Sequence, residues 1–120
     1  MAALIETTIC VADQEVRLIQ PLDLKLKLEQ GQDVLLLDIR EALELQGPLG
    51  HLEGIKHMSL VSIPYRLEEL EENKDQEIIA ICRRGLLAPV AAELLIHAGF
   101  PRVSALKGGM LAWRHAEASR

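Results

Sequence analysis

Short apolar runs that alternate with helix-forming segments constrain this chain more than any other feature. Val34–Leu37 is continuously apolar, Glu77–Ile81 reads EIIAI and Val103–Leu106 reads VSAL, with polar or glycine-containing turns between them and the helical patterns. A strand covered on both faces loses the polar–apolar alternation of a one-sided sheet, and parallel strands need crossover connections, usually helical. The pattern predicts βα units on a mostly parallel sheet, an α/β fold. Two further strands are expected, at Val16–Ile19, ended by Pro21, and at Lys56–Ser59.

The helices follow from propensity and stop signals. Residues 22–31, LDLKLKLEQG, place leucine at alternate positions as a strand does. They contain no β-branched residue, however, and they end in Gly31, so a helix is expected. Residues 40–46 suit a short helix before a loop marked by Gly47, Pro48 and Gly50. Ser62 is a candidate cap for a helix whose buried stripe is Ile63, Leu67 and Leu70. Asn73–Gln76 reads as a polar turn. A helix over Ala88–Ala98 tolerates Pro89 in its first turn and stops at Gly99 and Pro101. Gly109–His115 reads as a terminal helix, and Trp113 as a core anchor.

A length of 120 residues suits one domain, 1–120, with a core at about 16–115. The net charge of −5 argues against non-specific nucleic-acid binding, and single Trp, Tyr and Phe residues are too few for a base-stacking platform. Glu68, Glu69, Glu71 and Glu72 read as a solvated face. No apolar run approaches the roughly 20 residues that cross a bilayer, so no membrane partner is expected. The N-terminal MAALIETTIC lacks a basic leader and is broken by Glu6, which argues against a secretory signal. Two cysteines, Cys10 and Cys82, make no disulfide framework, so a reducing, cytoplasmic setting is expected. Cys10, in a β-prone stretch, reads as structural. His57, His97 and His115 show no ligand spacing with the cysteines, so neither metal nor cofactor is called for. His51 reads as a structural hydrogen-bonding group.

The chemistry concentrates at Cys82. The apolar run 77–81 stops there, Arg83-Arg84-Gly85-Leu86-Leu87 follow without a hydrophobic stripe, and a helix begins at Ala88. A loop and a helix N-terminus behind a strand-end cysteine aim backbone N–H groups toward the sulfur and hold an anion on or beside it. Arg83 and Arg84 add two full positive charges. Cys82 therefore reads as a nucleophile for an anionic substrate, against the common alternative of a buried core thiol. Asp38 and Arg40 leave a buried strand at the carboxyl edge of the sheet, where α/β proteins place ligand sites. They read first as an interaction that fixes the strand-to-helix turn, with orientation of the active loop as the alternative. Lys107-Gly108-Gly109 lacks the order of a phosphate loop; its glycines let the last helix begin close against the sheet.

Four landmarks in order resemble the single-domain rhodaneses, a sulfurtransferase family. They are LLLDIREALEL at 35–45, GHLEGI at 50–55, CRRG at 82–85 and GFPRVSALKGGMLAW at 99–113, within a similarity spanning roughly Val16–His115. The resemblance implies a central, mainly parallel, five-stranded sheet with helices on both faces. It also implies a loop cysteine, here Cys82, that takes sulfur from a donor such as thiosulfate and becomes a persulfide. The sulfur then passes to cyanide, a thiol or a protein cysteine. Arg83, Arg84, Gly85, Leu86 and Leu87 are the matching substrate loop, with Asp38 and Arg40 in support. The match departs where many members have Arg followed by Ser or Thr; those positions are Leu87 and Ala88 here. Loss of the hydroxyl is expected to cost about 1–3 kcal/mol of transition-state stabilisation. The connection between Leu45 and Gly50 is also longer than the family's.

Two rival readings remain. A cysteine phosphatase needs a guanidinium where this chain has Ala88, and its loop is longer. A catalytically weak rhodanese-like binding or regulatory module is favoured by Leu87 and Ala88 and opposed by the retained Cys82, Arg83 and Arg84.

Overall fold

A computed structural model describes residues 7–118 of the chain. The first six residues, which carry most of the reading against a secretory signal, lie outside the described residues. Strands β1 (Thr7–Val11) and β2 (Gln14–Ile19) lead to helix α1 (Pro21–Glu29), then β3 (Val34–Asp38), α2 (Ala42–Leu45) and β4 (Lys56–His57). Two 3-10 segments, Leu60–Tyr65 and Leu67–Asn73, precede β5 (Glu77–Ile81), α3 (Ala88–His97), β6 (Val103–Leu106) and α4 (Gly109–Ala118).

The strands form one sheet in the order β1-β2-β6-β5-β3-β4, with every pairing parallel except β1–β2. The central strands are those whose sequences are continuously apolar. Their period of two sends Ile78 and Ala80 into the cluster under α3 and the 3-10 segments, while Ile79 and Ile81 enter a second cluster with Leu24, Met110 and Trp113 under α1 and α4. Each fully buried isoleucine or leucine contributes roughly 1.5–3 kcal/mol relative to exposure.

The expected five strands become six among the described residues. The additional β1 pairs antiparallel with β2 through a two-residue turn in which Ala12 (φ 48°) and Asp13 (φ 68°) are both left-handed. That is the hairpin geometry whose twist matches its strands. An alanine in this conformation breaks the usual Asn-Gly or Asp-Gly signature, so the turn left no clear mark in the sequence. The reading of Cys10 as structural gives way to a solvent-exposed thiol on this edge strand.

Other elements differ in extent. The strand expected over Lys56–Ser59 is only Lys56–His57. The helix expected after Ser62 is two 3-10 segments. Pro64 lies inside the first and cannot donate a backbone hydrogen bond, and Ser62 Oγ donates to Ser59 O at 2.7 Å instead of capping a helix. Ile63 and Leu70 are nevertheless buried, so the apolar stripe survives the change of helix type. Residues 21–29 are helical as expected. Pro21 starts the helix, and of its alternating leucines only Leu24 is buried.

Candidate active site

The site stands at the carboxyl ends of β3 and β5, which pair in parallel with Asp38 opposite Ile81. Cys82 keeps the parity of Ile78 and Ala80, so its side chain falls on the α3 face of the sheet. It is 3 % exposed. The chain then turns through Gly85, whose φ of 86° suits glycine, and enters α3 at Ala88.

Helix α3 has no side-chain cap, since Leu87 occupies the N-cap position. The first-turn N–H groups of an uncapped helix need acceptors. Pro89 has no N–H to satisfy, and the N–H of Ala88 donates to Cys82 Sγ at 3.3 Å. Gly85 N–H donates to the same sulfur at 3.0 Å. The sulfur thus takes the place of the cap. The backbone N–H groups of Arg84 and Leu86 have no acceptor among the described residues.

The back of the loop is anchored from α4. Met110 N–H donates to Cys82 O at 2.9 Å and Leu111 N–H to Arg83 O at 3.0 Å. Sequence reading had the glycines before this helix close to the sheet; the structure brings them against the Cys82 loop. Spacing gives no hint of that, because 23 or more residues separate the partners.

Arg83 and Arg84 are exposed, and no carboxylate pairs with either among the described residues. A groove of about 360 Å³ is lined by Cys82, both arginines, Leu86, Leu87 and, opposite, Glu41, Glu44 and Val61. Leu86 is 73 % exposed and Leu87 53 %. A larger depression, about 640 Å³, lies away from the cysteine around Gln14, Phe100 and Arg102. No cysteine lines it, whereas Cys82 lines the smaller groove.

Asp38 and Arg40 are buried in the neighbouring loop. Arg40 Nε reaches Asp38 Oδ1 at 3.0 Å and Nη2 reaches Oδ2 at 2.8 Å, while Arg40 N–H also donates to Oδ1. Nη2 donates as well to Gly50 O at 2.7 Å, and His57 Nε2 pairs with Arg40 O. Arg40 therefore lines the groove with its charge already neutralised. The 45–50 connection is clasped by Arg40 at Gly50, by Arg114 Nε donating to Leu49 O and by His51 Nδ1 paired with Leu45 O. Among the described residues no cluster of His, Cys, Asp or Glu can hold a metal ion, and no helix is long and apolar enough to cross a membrane.

A thiol that accepts hydrogen bonds from two backbone N–H groups stands at the end of a buried strand, beside two arginines with no carboxylate partner among the described residues. This is an arrangement of an α/β protein that can hold an anion. The chain belongs to the rhodanese-like domain family, whose model matches residues 20–116. Thiosulfate sulfurtransferase GlpE of Pseudoalteromonas translucida is 34 % identical over 91 residues, covering 76 % of this chain and 83 % of that protein. Among solved structures, the rhodanese-like domain protein from Staphylococcus aureus matches with a TM-score of 0.71 at 27 % identity, over 80 % of this chain and 89 % of that one. Reduced CoADR-RHD of Bacillus anthracis matches with a TM-score of 0.74 at 28 % identity; the chain covers 18 % of that longer protein.

Proposed function

We propose that this chain is a thiosulfate-type sulfurtransferase that works through a persulfide on Cys82. The Cys82 thiolate attacks the outer sulfur of thiosulfate. A new S–S bond forms, the original one breaks, and sulfite leaves with the bonding pair. The product carries a terminal sulfur anion, Cys82–S–S⁻. In the second half-reaction an acceptor nucleophile attacks that terminal sulfur and Cys82 returns as thiolate. Cyanide leaves as thiocyanate, and a thiol or protein cysteine leaves as a persulfide. The two halves make the kinetics ping-pong.

The observation that carries this reading is the convergence of the Gly85 and Ala88 N–H groups on Sγ at 3.0 and 3.3 Å. Donors fixed in this way stabilise negative charge on the attacking sulfur without reorganising during the reaction. The open N–H groups of Arg84 and Leu86 are placed in sequence to receive the added sulfur. Arg83 and Arg84 attract the dianionic donor, in place of the arginine that the resemblance would put at Leu87. Asp38 and Arg40 support the site by fixing the adjacent turn. A reducing, cytoplasmic setting keeps the nucleophile a free thiol.

The exposure of Leu86 and Leu87 favours an acceptor presented by a protein, and it is the observation that sustains the alternative of a binding module. Intact-mass spectrometry after thiosulfate treatment separates the two. We expect a gain of about one sulfur atom that requires Cys82 and survives Cys10→Ser. A folded protein that takes up no sulfur, and whose Cys82 alkylates no faster than a free thiol, supports the binding module instead.

A further inference from the structure

We propose that Gly108 and Gly109 are positioning residues for the Cys82 loop, seating the first turn of α4 beneath it so that its N–H donors face the sulfur. The rate arm of the test rests on the sulfurtransferase reading, whereas the geometry stands without it.

The backbones of two distant segments meet here with no room for a side chain. A Cβ on Gly109 would stand 2.5 Å from Cys82 O and 2.6 Å from both C and O of Arg83. A Cβ on Gly85 would stand 2.6 Å from Gly108 N. Real Cβ contacts do not reach such distances, and the obstructing atoms are backbone, so one segment must move. Both glycines also have left-handed φ values, 75° and 62°, which L side chains rarely adopt.

The close approach has a specific consequence. Met110 and Leu111, in the first turn of α4, have N–H groups without intrahelical acceptors, and these take the carbonyls of Cys82 and Arg83 at 2.9 and 3.0 Å. Drawing those carbonyls toward α4 fixes the orientation of the peptide planes that start the loop. The N–H of Gly85 is then held 3.0 Å from Sγ, and Gly85 itself rests on Gly108. The KGG segment thus acts on the chemistry through the loop backbone, without touching the substrate.

The test compares Gly109→Ala, Gly108→Ala and the pair Gly108→Ala/Ala112→Gly in a Cys10→Ser background, each checked for folding by circular dichroism. A Cβ on Gly108 meets Ala112 Cβ and otherwise no close atom, so Ala112→Gly removes the obstruction while leaving the changed residue in place. In the folded single variants we expect iodoacetamide to alkylate Cys82 about tenfold more slowly at pH 7, the scale of one lost N–H···S interaction. The maximal rate of persulfide formation should fall similarly, while the half-saturating thiosulfate concentration stays within about twofold because Arg83 and Arg84 are untouched. Adding Ala112→Gly to Gly108→Ala should recover part of both rates, because it removes the Cβ contact and leaves the left-handed φ of 75° in place.

Folded single variants with wild-type alkylation overturn the proposal. Should neither single variant fold, hydrogen exchange on the unaltered protein decides. Unpaired first-turn amides exchange fast, so Met110 and Leu111 must be protected like the central strands and must respond to alkylation of Cys82. Fast exchange at both overturns the proposal. A wild-type protein that accepts no sulfur from thiosulfate defeats the functional reading only, because the alkylation and exchange arms still report on the loop.

Discussion

Two loops leave adjacent parallel strands at the same edge of the sheet, and they treat their polar groups in opposite ways. The exit from β3 closes on itself. Asp38 and Arg40 neutralise each other in the interior, and two further guanidinium hydrogens go to the carbonyls of Gly50 and Glu44. The exit from β5 stays open. Two N–H groups converge on one sulfur. Among the described residues the N–H groups of Arg83, Arg84, Leu86 and Leu87 have no acceptor, and the two exposed arginines have no carboxylate partner. Arg84 and Leu86 are exposed, so water can meet their N–H groups until an anion displaces it. Open donors beside a thiol are what the proposed reaction with an anionic donor requires.

The largest effect expected from breaking this contrast is at the open loop. Cys82→Ser exchanges the sulfur for an oxygen that forms no persulfide under these conditions, so sulfur uptake should vanish while the urea unfolding midpoint changes little. The check is intact mass beside equilibrium unfolding. Retained uptake would place the nucleophile elsewhere, with the exposed Cys10 as the other thiol.

Next in size is the closed loop. Arg40→Ala leaves the Asp38 carboxylate buried and uncompensated and releases Gly50 and Glu44, and a loss of roughly 3–5 kcal/mol in unfolding free energy is expected. Persulfide formation in the remaining folded fraction should change far less than stability. A variant as stable as the wild type but unable to accept sulfur would reverse the roles assigned to the two loops and make Arg40 a substrate ligand.

Arg83 and Arg84 come third. Replacing both by alanine should raise the half-saturating thiosulfate concentration about tenfold, with stability unchanged, because exposed arginines interact in high dielectric. Added salt should weaken donor binding in the wild type and have little further effect in the variant. An unaltered concentration dependence would shift donor recognition to the backbone N–H groups alone.

The contrast between the loops was only partly legible in the sequence. The open loop announced itself, because Cys82 ends an apolar run and α3 begins with Pro89 in its first turn. The Asp38–Arg40 pair was legible as a turn-fixing interaction, but nothing in the residues gives its reach to Gly50, since that contact depends on how the 45–50 connection folds back. The α4 support was hidden for the same reason: backbone carbonyls and N–H groups carry it, and every residue has those. At the sheet edge, β1 was missed because Ala12 is a poor marker of a left-handed turn. Arg66 separates two 3-10 segments where the Ile63, Leu67 and Leu70 spacing suggested one helix, although that spacing identified Ile63 and Leu70 as buried.

The smallest expected effect sharpens the comparison most, because it keeps the geometry and changes only the burial. Arg66 grips Glu69 in the same two-bond fashion as Arg40 grips Asp38, with Nε to Oε2 at 2.7 Å and Nη2 to Oε1 at 2.8 Å, but on the surface. The hydrogen bond from Arg66, aided by its charge, holds the Glu69 carboxyl below its ordinary value, and the same bond raises the Arg66 guanidinium. The lowered carboxyl means that any stability from this pair is present at neutral pH and disappears as the pH falls through the Glu69 value in the folded protein. The raised guanidinium loses its contribution only in strongly alkaline solution. Because water and salt screen both groups, Arg66→Ala should leave the unfolding midpoint at neutral pH unchanged within error, and its acid unfolding curve should overlay that of the wild type in high salt. Equilibrium unfolding of Arg66→Ala and Arg40→Ala side by side makes the test. If the exposed pair proves as costly to break as the buried one, bidentate geometry rather than burial sets the weight of these arginines, and the closed loop loses its special standing.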